Sequence, residues 1–223
     1  MANCYPKWLA EGIHVIATNK RGVGGPGKLY DQAKQAALSS KTQWLYETTA
    51  PGSGLPLLAT LKDMTQSGDV VSTVSGRFSA SVSFIFSQVI EGVPLSKALA
   101  AACEKGLCEP DPRDDLNGVD NARSLVVLAR DLGIELELSD VECESLLPAE
   151  LKKWKPAAGT PLVEQLCKAL EPYDASTAER VNAMIADGFV PVQLSKVDVA
   201  TGKVRLRVRL RVRPRVRVRV RLS

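Results

Sequence analysis

The densest group of chemistry-bearing side chains lies between Glu109 and Arg130, which read EPDPRDDLNGVDNARSLVVLAR. Five carboxylates (Glu109, Asp111, Asp114, Asp115 and Asp120) fall within twelve residues, on a proline-stiffened segment that runs into an apolar stretch. Carboxylates gathered in this way can grip a small cationic amine through several charge-assisted hydrogen bonds. Acids at a helix start also serve as caps and as partners of the helix dipole, and a solvated acidic loop is the alternative. Other catalytic raw material is thin. His14 is the single histidine, so a Ser-His-Asp or His-rich zinc site has almost nothing to build on. The five cysteines (Cys4, Cys103, Cys108, Cys143, Cys167) are odd in number and form no CxxC pair, which points to reduced thiols. Gly22 to Gly27, GVGGPG, satisfies GxGxxG by letter. Pro26 lies inside that turn and the only acid at the right offset is Glu47, so the segment is expected to be a loop rather than a dinucleotide cradle.

The elements that must position these residues follow from periodicity and turn chemistry. A β-branched run over 14–18 predicts a buried strand, and further strands are expected over 43–47, 70–74, 135–138, 190–194 and from 203 onward. Helices are expected over 31–38, 57–64, 79–90, 95–104, 119–132, 161–170 and 175–186. Gly106 is a natural stop for the helix over 95–104. The segment 109–118 reads as irregular, because it is rich in proline and acid. Asn117 is placed to cap the helix over 119–132, with Asp120 three residues on in the capping-box position. That helix is apolar on most sides and should be buried. Helices and strands alternate without a clean βαβ repeat, which predicts an α+β fold.

Composition narrows the function classes. The 223 residues are 45% hydrophobic and 24% charged, ordinary for a globular chain and unlike collagenous or disulfide-scaffold sequences. No apolar run reaches the roughly 18 to 20 residues that span a bilayer. The N-terminus has no signal-peptide pattern, so a cytoplasmic location is expected, or a plastid in a photosynthetic eukaryote. The net charge of +4 rests on residues 204–223, which hold nine arginines and no acid. The body carries 20 basic against 25 acidic residues and gives no reason to expect nucleic acid as a partner. The 204–223 segment alternates arginine with valine or leucine. It reads either as a polybasic arm or, the favoured reading, as a simple repeat with only non-specific nucleic-acid contact.

Glu109 to Arg123 resembles the hallmark of homoserine dehydrogenases, (Y/T)EPDPRDDLxGxDVARK, nearly throughout. EGIHVIATNK (residues 11–20), YETTAPGSGLP (46–56), SGRFSASVSFIF (75–86) and LELSDVECESLLPAEL (136–151) resemble other stretches of the same family, in the same order. The resemblance implies NADP- or NAD-dependent interconversion of L-aspartate 4-semialdehyde and L-homoserine, toward threonine and methionine. It implies that Glu109 and Asp120 bind the substrate amino group, with Asp115 supporting them. Lys20 would contact cofactor and substrate, and the backbone of Gly106 would pass near the cofactor. Carbonyl groups of the turn carrying Glu47, Pro51, Ser53 and Leu55 would hold a monovalent cation, sodium or potassium. The implied architecture is a mixed β-sheet with helices on one face, through which two subunits pair as a homodimer. The last strand and helix of a Rossmann-type nucleotide-binding domain would precede it. The corresponding division of the chain is 1–42, 43–203 and the 204–223 repeat.

Four departures bear on activity. The family's proton-donating lysine, four residues after the aspartate matched by Asp120, is Ser124 here. The family's GxGxxG half and its C-terminal return segment have no counterpart in the sequence, and the 204–223 repeat takes the place of the latter. The turn over 49–53 is one residue longer, with Pro51 entering it and Ala80 replacing a glycine further on. The chain is therefore expected to be a fragment, weak or inactive on its own. A non-catalytic homologue that acts through dimerisation is the alternative.

Overall fold

The apolar residues after Gly118 leave that segment with almost no polar side, and it folds as the central buried helix. A computed structural model describes residues 1–49, 55–208 and 210–211. Helix α7 (Val119–Asp131) buries Leu125, Val126, Val127, Leu128 and Ala129 completely. It packs on a four-stranded mixed sheet of order β3 (Thr73–Gly76), β6 (Leu194–Asp198), β7 (Lys203–Arg207) and β4 (Glu142–Cys143). All neighbours are antiparallel except β7 and β4, which are parallel. Successive residues of a strand face opposite sides of a sheet. Ser195, Val197, Val204 and Leu206 are accordingly buried in the interior, while Lys196, Asp198, Arg205 and Arg207 lie on the alternate, charged face. The fold is α+β with a mixed sheet.

A second core lies among helices α4 (Ala80–Ile90), α5 (Leu95–Glu104), α8 (Leu162–Leu170) and α9 (Asp174–Ala186), around Ile85, Leu99, Leu116, Leu166 and Leu170. The Ser79 hydroxyl starts α4 by accepting from the Val82 amide at 3.2 Å. Toward the N-terminus, helix α1 (Tyr5–Ala10), strand β1 (Val15–Ile16), helix α2 (Gly27–Ser40) and strand β2 (Trp44–Leu45) form a small unit. Its two strands pair in parallel, with Val15 opposite Trp44. Trp44 contacts the rings of Tyr5, Tyr30 and Tyr46 there.

Several expectations are corrected. Segment 109–118 is not irregular throughout: Pro112–Leu116 form a short helix, α6, capped by the Asp111 carboxylate accepting from the Arg113 amide at 3.0 Å. Proline suits the first helical turn because its missing N–H has no partner to lose there. Residues 135–138 are not a strand. Glu137 and Asp140 cap each other's backbone across the 3-10 turn Leu138–Asp140, and β4 follows. The strand expected over 190–194 resolves into β5 (Phe189–Val190), paired with β8 (Leu210–Arg211), and the longer β6. The strand expected over 70–74 lies instead at Thr73–Gly76. Asn117 does accept from the Val119 amide at 2.9 Å, but Asp120 turns away from a capping box. No helix among the described residues is long and apolar enough to cross a membrane.

Candidate functional site

Lys20 lies on the loop between β1 and α2, and that loop is fastened to α7. The Arg130 guanidinium, almost fully buried, donates to the carbonyls of Val23 at 2.6 Å, Gly25 at 2.7 Å and Leu136 at 2.9 Å. Gly24 lies so close to α7 that a Cβ there would stand 2.8 Å from the Arg123 carbonyl oxygen. So held, the Lys20 Nζ reaches Asp120 Oδ2 at 2.6 Å, where both side chains are about three-quarters covered. The GVGGPG segment is a loop that joins a strand to a helix. Even so, the first amide of α2 is already taken, because Gly27 N donates to Glu137 Oε1 at 2.8 Å.

Asp115 is buried beneath the opposite wall. Its Oδ1 accepts from the Ser81 hydroxyl at 2.6 Å and its Oδ2 from the Glu109 amide at 2.8 Å. It thereby fixes the turn that presents Glu109 without reaching the cavity itself. Burial pushes the Asp115 carboxyl above its ordinary range, against the two hydrogen bonds that favour its charge. The Glu109 carboxyl is also raised, first by loss of water around it and then by the charge of Asp120, while Lys20 works the other way. Lys20, Arg21, Glu109, Asp114, Asp120 and Arg123 meet around a cavity of about 420 Å³. Arg21 and Arg123 also line an adjoining cavity of about 750 Å³ bordered by Gly24 and Gly25.

Other expected site residues stand apart. Ser124 is buried behind the wall, its hydroxyl donating to the Asp120 carbonyl at 3.3 Å, and it does not line the cavity. Arg123 lines it instead, with its guanidinium 3.7 Å from Asp114 Oδ2. On sequence alone Arg123 is set aside as a proton donor, because it points about 100° from Ser124 and stays protonated, yet its i, i+3 spacing from Asp120 puts it on the same helix face. Gly106, at φ +68°, ends the turn after α5 away from the cavity wall, with open space beside it. Glu47 caps helix α3 (Leu57–Gln66): its two carboxylate oxygens accept from the amides of Leu58 and Ala59, both at 3.0 Å. Leu55 is exposed just ahead of α3, and Pro51 and Ser53 lie outside the described residues. Among the described residues no group of three His, Cys, Asp or Glu side chains could hold a metal ion.

With a mixed sheet and buried helix bringing a lysine and two carboxylates to one cavity, the chain can be set beside known proteins. The family model described as homoserine dehydrogenase matches residues 56–222, and the chain belongs to that family. It is 39% identical to a bifunctional aspartokinase/homoserine dehydrogenase of Haemophilus influenzae, over 92% of this chain and 24% of that relative. The chain thus spans about a quarter of that relative's length. Among solved structures it resembles a Candida auris protein of unknown function, with a TM-score of 0.81 and 27% identity, covering 95% of this chain and 58% of the other. A hyperthermophilic archaeal homoserine dehydrogenase in complex with NADPH shares the fold at a TM-score of 0.65 and 19% identity, over 96% of this chain and 53% of that one.

Proposed function

We propose that this chain is the substrate-holding part of an NAD(P)-dependent homoserine dehydrogenase, interconverting L-aspartate 4-semialdehyde and L-homoserine. The convergence of Lys20, Glu109 and Asp120 on one cavity, in a member of that family, carries the reading. Glu109 and Asp120 take the substrate ammonium, and Asp115 acts through the Glu109 amide as a positioning residue. NAD(P)H, when bound, supplies the hydride that reduces the aldehyde carbon. Negative charge then builds on the aldehyde oxygen, and the Lys20 ammonium donates the proton there, with Asp120 holding it in place. In the reverse direction the hydroxyl proton returns to Lys20 by the same path. The family resemblance assigns cofactor contacts to Lys20 and to the backbone of Gly106, although Gly106 lies away from both cavities. The cavity next to the Lys20 loop, bordered by Gly24, Gly25, Arg21 and Arg123, suits an anionic dinucleotide. The turn of Glu47, Pro51, Ser53 and Leu55 is retained as the proposed place for a sodium or potassium ion. The charged sheet face carrying Lys196, Asp198 and Arg205 is the proposed pairing surface of a homodimer. A cytoplasmic or plastid location completes the reading.

The burial of Ser124 favours a second reading, a homologue that binds substrate without turnover, since the family's lysine position contributes nothing to this cavity. Calorimetry of the chain with L-homoserine, followed by an absorbance assay for NAD(P)-linked oxidation with the chain set in place of the matching part of a full-length homoserine dehydrogenase, separates the two. Binding with turnover supports the first reading and binding without turnover the second. Failure to bind homoserine overturns both.

A further inference from the structure

Charge around the cavity is not of one sign, and its cations are unequally engaged. The Lys20 ammonium is matched at hydrogen-bond distance by Asp120. Arg123 has only the looser 3.7 Å approach to Asp114, whose side chain is 38% exposed, and an ion pair of that kind is weak and easily exchanged. Among the described residues the Arg123 guanidinium makes no hydrogen bond. It rises from a helix held by the sheet, three residues after Asp120, so the two side chains leave neighbouring points about 5–6 Å apart. Arg21, the other guanidinium on the wall, is exposed on a loop.

We propose that Arg123 binds the α-carboxylate of the substrate, making the site selective for zwitterionic amino acids over amines or hydroxy acids of the same length. The inference rests on the function proposed above. An α-amino acid carries its ammonium and carboxylate on one carbon, so its receptor needs an anion and a cation side by side. Asp120 and Arg123 supply that pair from one rigid element, with Glu109 completing the anionic side. A guanidinium presents parallel N–H groups that match both oxygens of a carboxylate, which an ammonium cannot do.

Three ligands dissect the site: L-homoserine, 3-aminopropan-1-ol, which lacks the carboxylate, and 4-hydroxybutanoate, which lacks the amine. Binding to the parent chain and to R123Q is measured by calorimetry or ligand-observed NMR. R123Q is expected to lose about 10- to 100-fold in homoserine affinity, the usual weight of a charge-assisted pair. It should also lose 4-hydroxybutanoate binding and leave 3-aminopropan-1-ol binding unchanged. R123K should recover part of the loss. If the parent binds homoserine and R123Q binds it equally well, the role of Arg123 is overturned while the proposed function stands. Equal loss of all three ligands also overturns it, since the effect would not follow the carboxylate. A parent chain that binds no homoserine removes the functional reading, and this inference with it.

Discussion

The ammonium of Lys20 and the carboxylate of Asp120 lie 2.6 Å apart although the residues are 100 positions apart in sequence. The contact ties the N-terminal unit to helix α7 at the point where substrate would lie. Both side chains keep some contact with water, so the pair adds little to stability, on the order of 1 kcal/mol or less. Its weight is chemical. Lys20→Met should lower homoserine turnover by about 10²- to 10⁴-fold, the usual effect of losing a general acid. Thermal unfolding should barely change, and assaying both on one preparation checks the claim.

Homoserine affinity should fall on acidification earlier than an ordinary glutamate would require. Partial burial, then the neighbouring Asp120, hold the Glu109 carboxyl above its usual value of 4.5, so it takes up a proton while exposed glutamates are still ionised. The effect on stability runs the opposite way. A carboxyl raised in the folded state binds protons more tightly there than in the unfolded chain, so its contribution improves as the pH falls through that window. Titrating homoserine binding against pH, for the parent and for E109Q, checks the first point. E109Q should bind more weakly near neutrality and lose this part of the pH dependence.

Gly24→Ala should damage the site without touching a ligand. The new methyl carbon would stand 2.8 Å from the Arg123 carbonyl oxygen and 3.1 Å from that of Lys20, both backbone atoms that cannot rotate aside. The loop must lift from α7, at about 1–3 kcal/mol, the usual cost of overpacking. Lys20 then loses its register with Asp120. Urea unfolding and homoserine calorimetry should both report the change.

Within the arginine repeat, alternate residues should carry opposite weights. Leu206 is fully buried beneath α7, and Leu206→Ala should cost about 2–5 kcal/mol. Arg207, on the other face, has a side chain 55% exposed near Glu142, and Arg207→Ala should change stability by less than about 1 kcal/mol. Denaturant midpoints of the two variants decide the matter.

The sequence was most legible where a long periodic stretch met clear punctuation. Helix α5 runs over the expected 95–104, and α7 ends one residue short of the expected 132. Short strands were harder, because β1, β2, β4 and β5 have two residues each and pairing partners rather than local preference define them. The segment 135–138 alternates like a strand, yet Glu137 is drawn into capping and into contact with Arg130 and Gly27. Of the site, the acidic residues could be read from their own clustering. The contact of Lys20 with Asp120 and the positioning of Glu109 by Asp115 and Ser81 are long-range or tertiary facts without a local signal. Arg123 did have one, its i, i+3 spacing from Asp120.

Strand β7 lies between β6 and β4, and this has a bearing on how the domain is made. A ribosome delivers α7 and its acidic approach long before Val204 and Leu206, the side chains that back the helix. Until then α7 presents an apolar flank and β6 an open edge, the kind of surface that chaperones hold and that aggregates when they do not. Joining β4 to β7 then closes a parallel pairing across some sixty residues, from Glu142 to Arg205, a slow kind of step. The carboxylates are thus synthesised well before the strand that backs their helix, and the firmness that makes them a binding site arrives only after residue 206 has emerged.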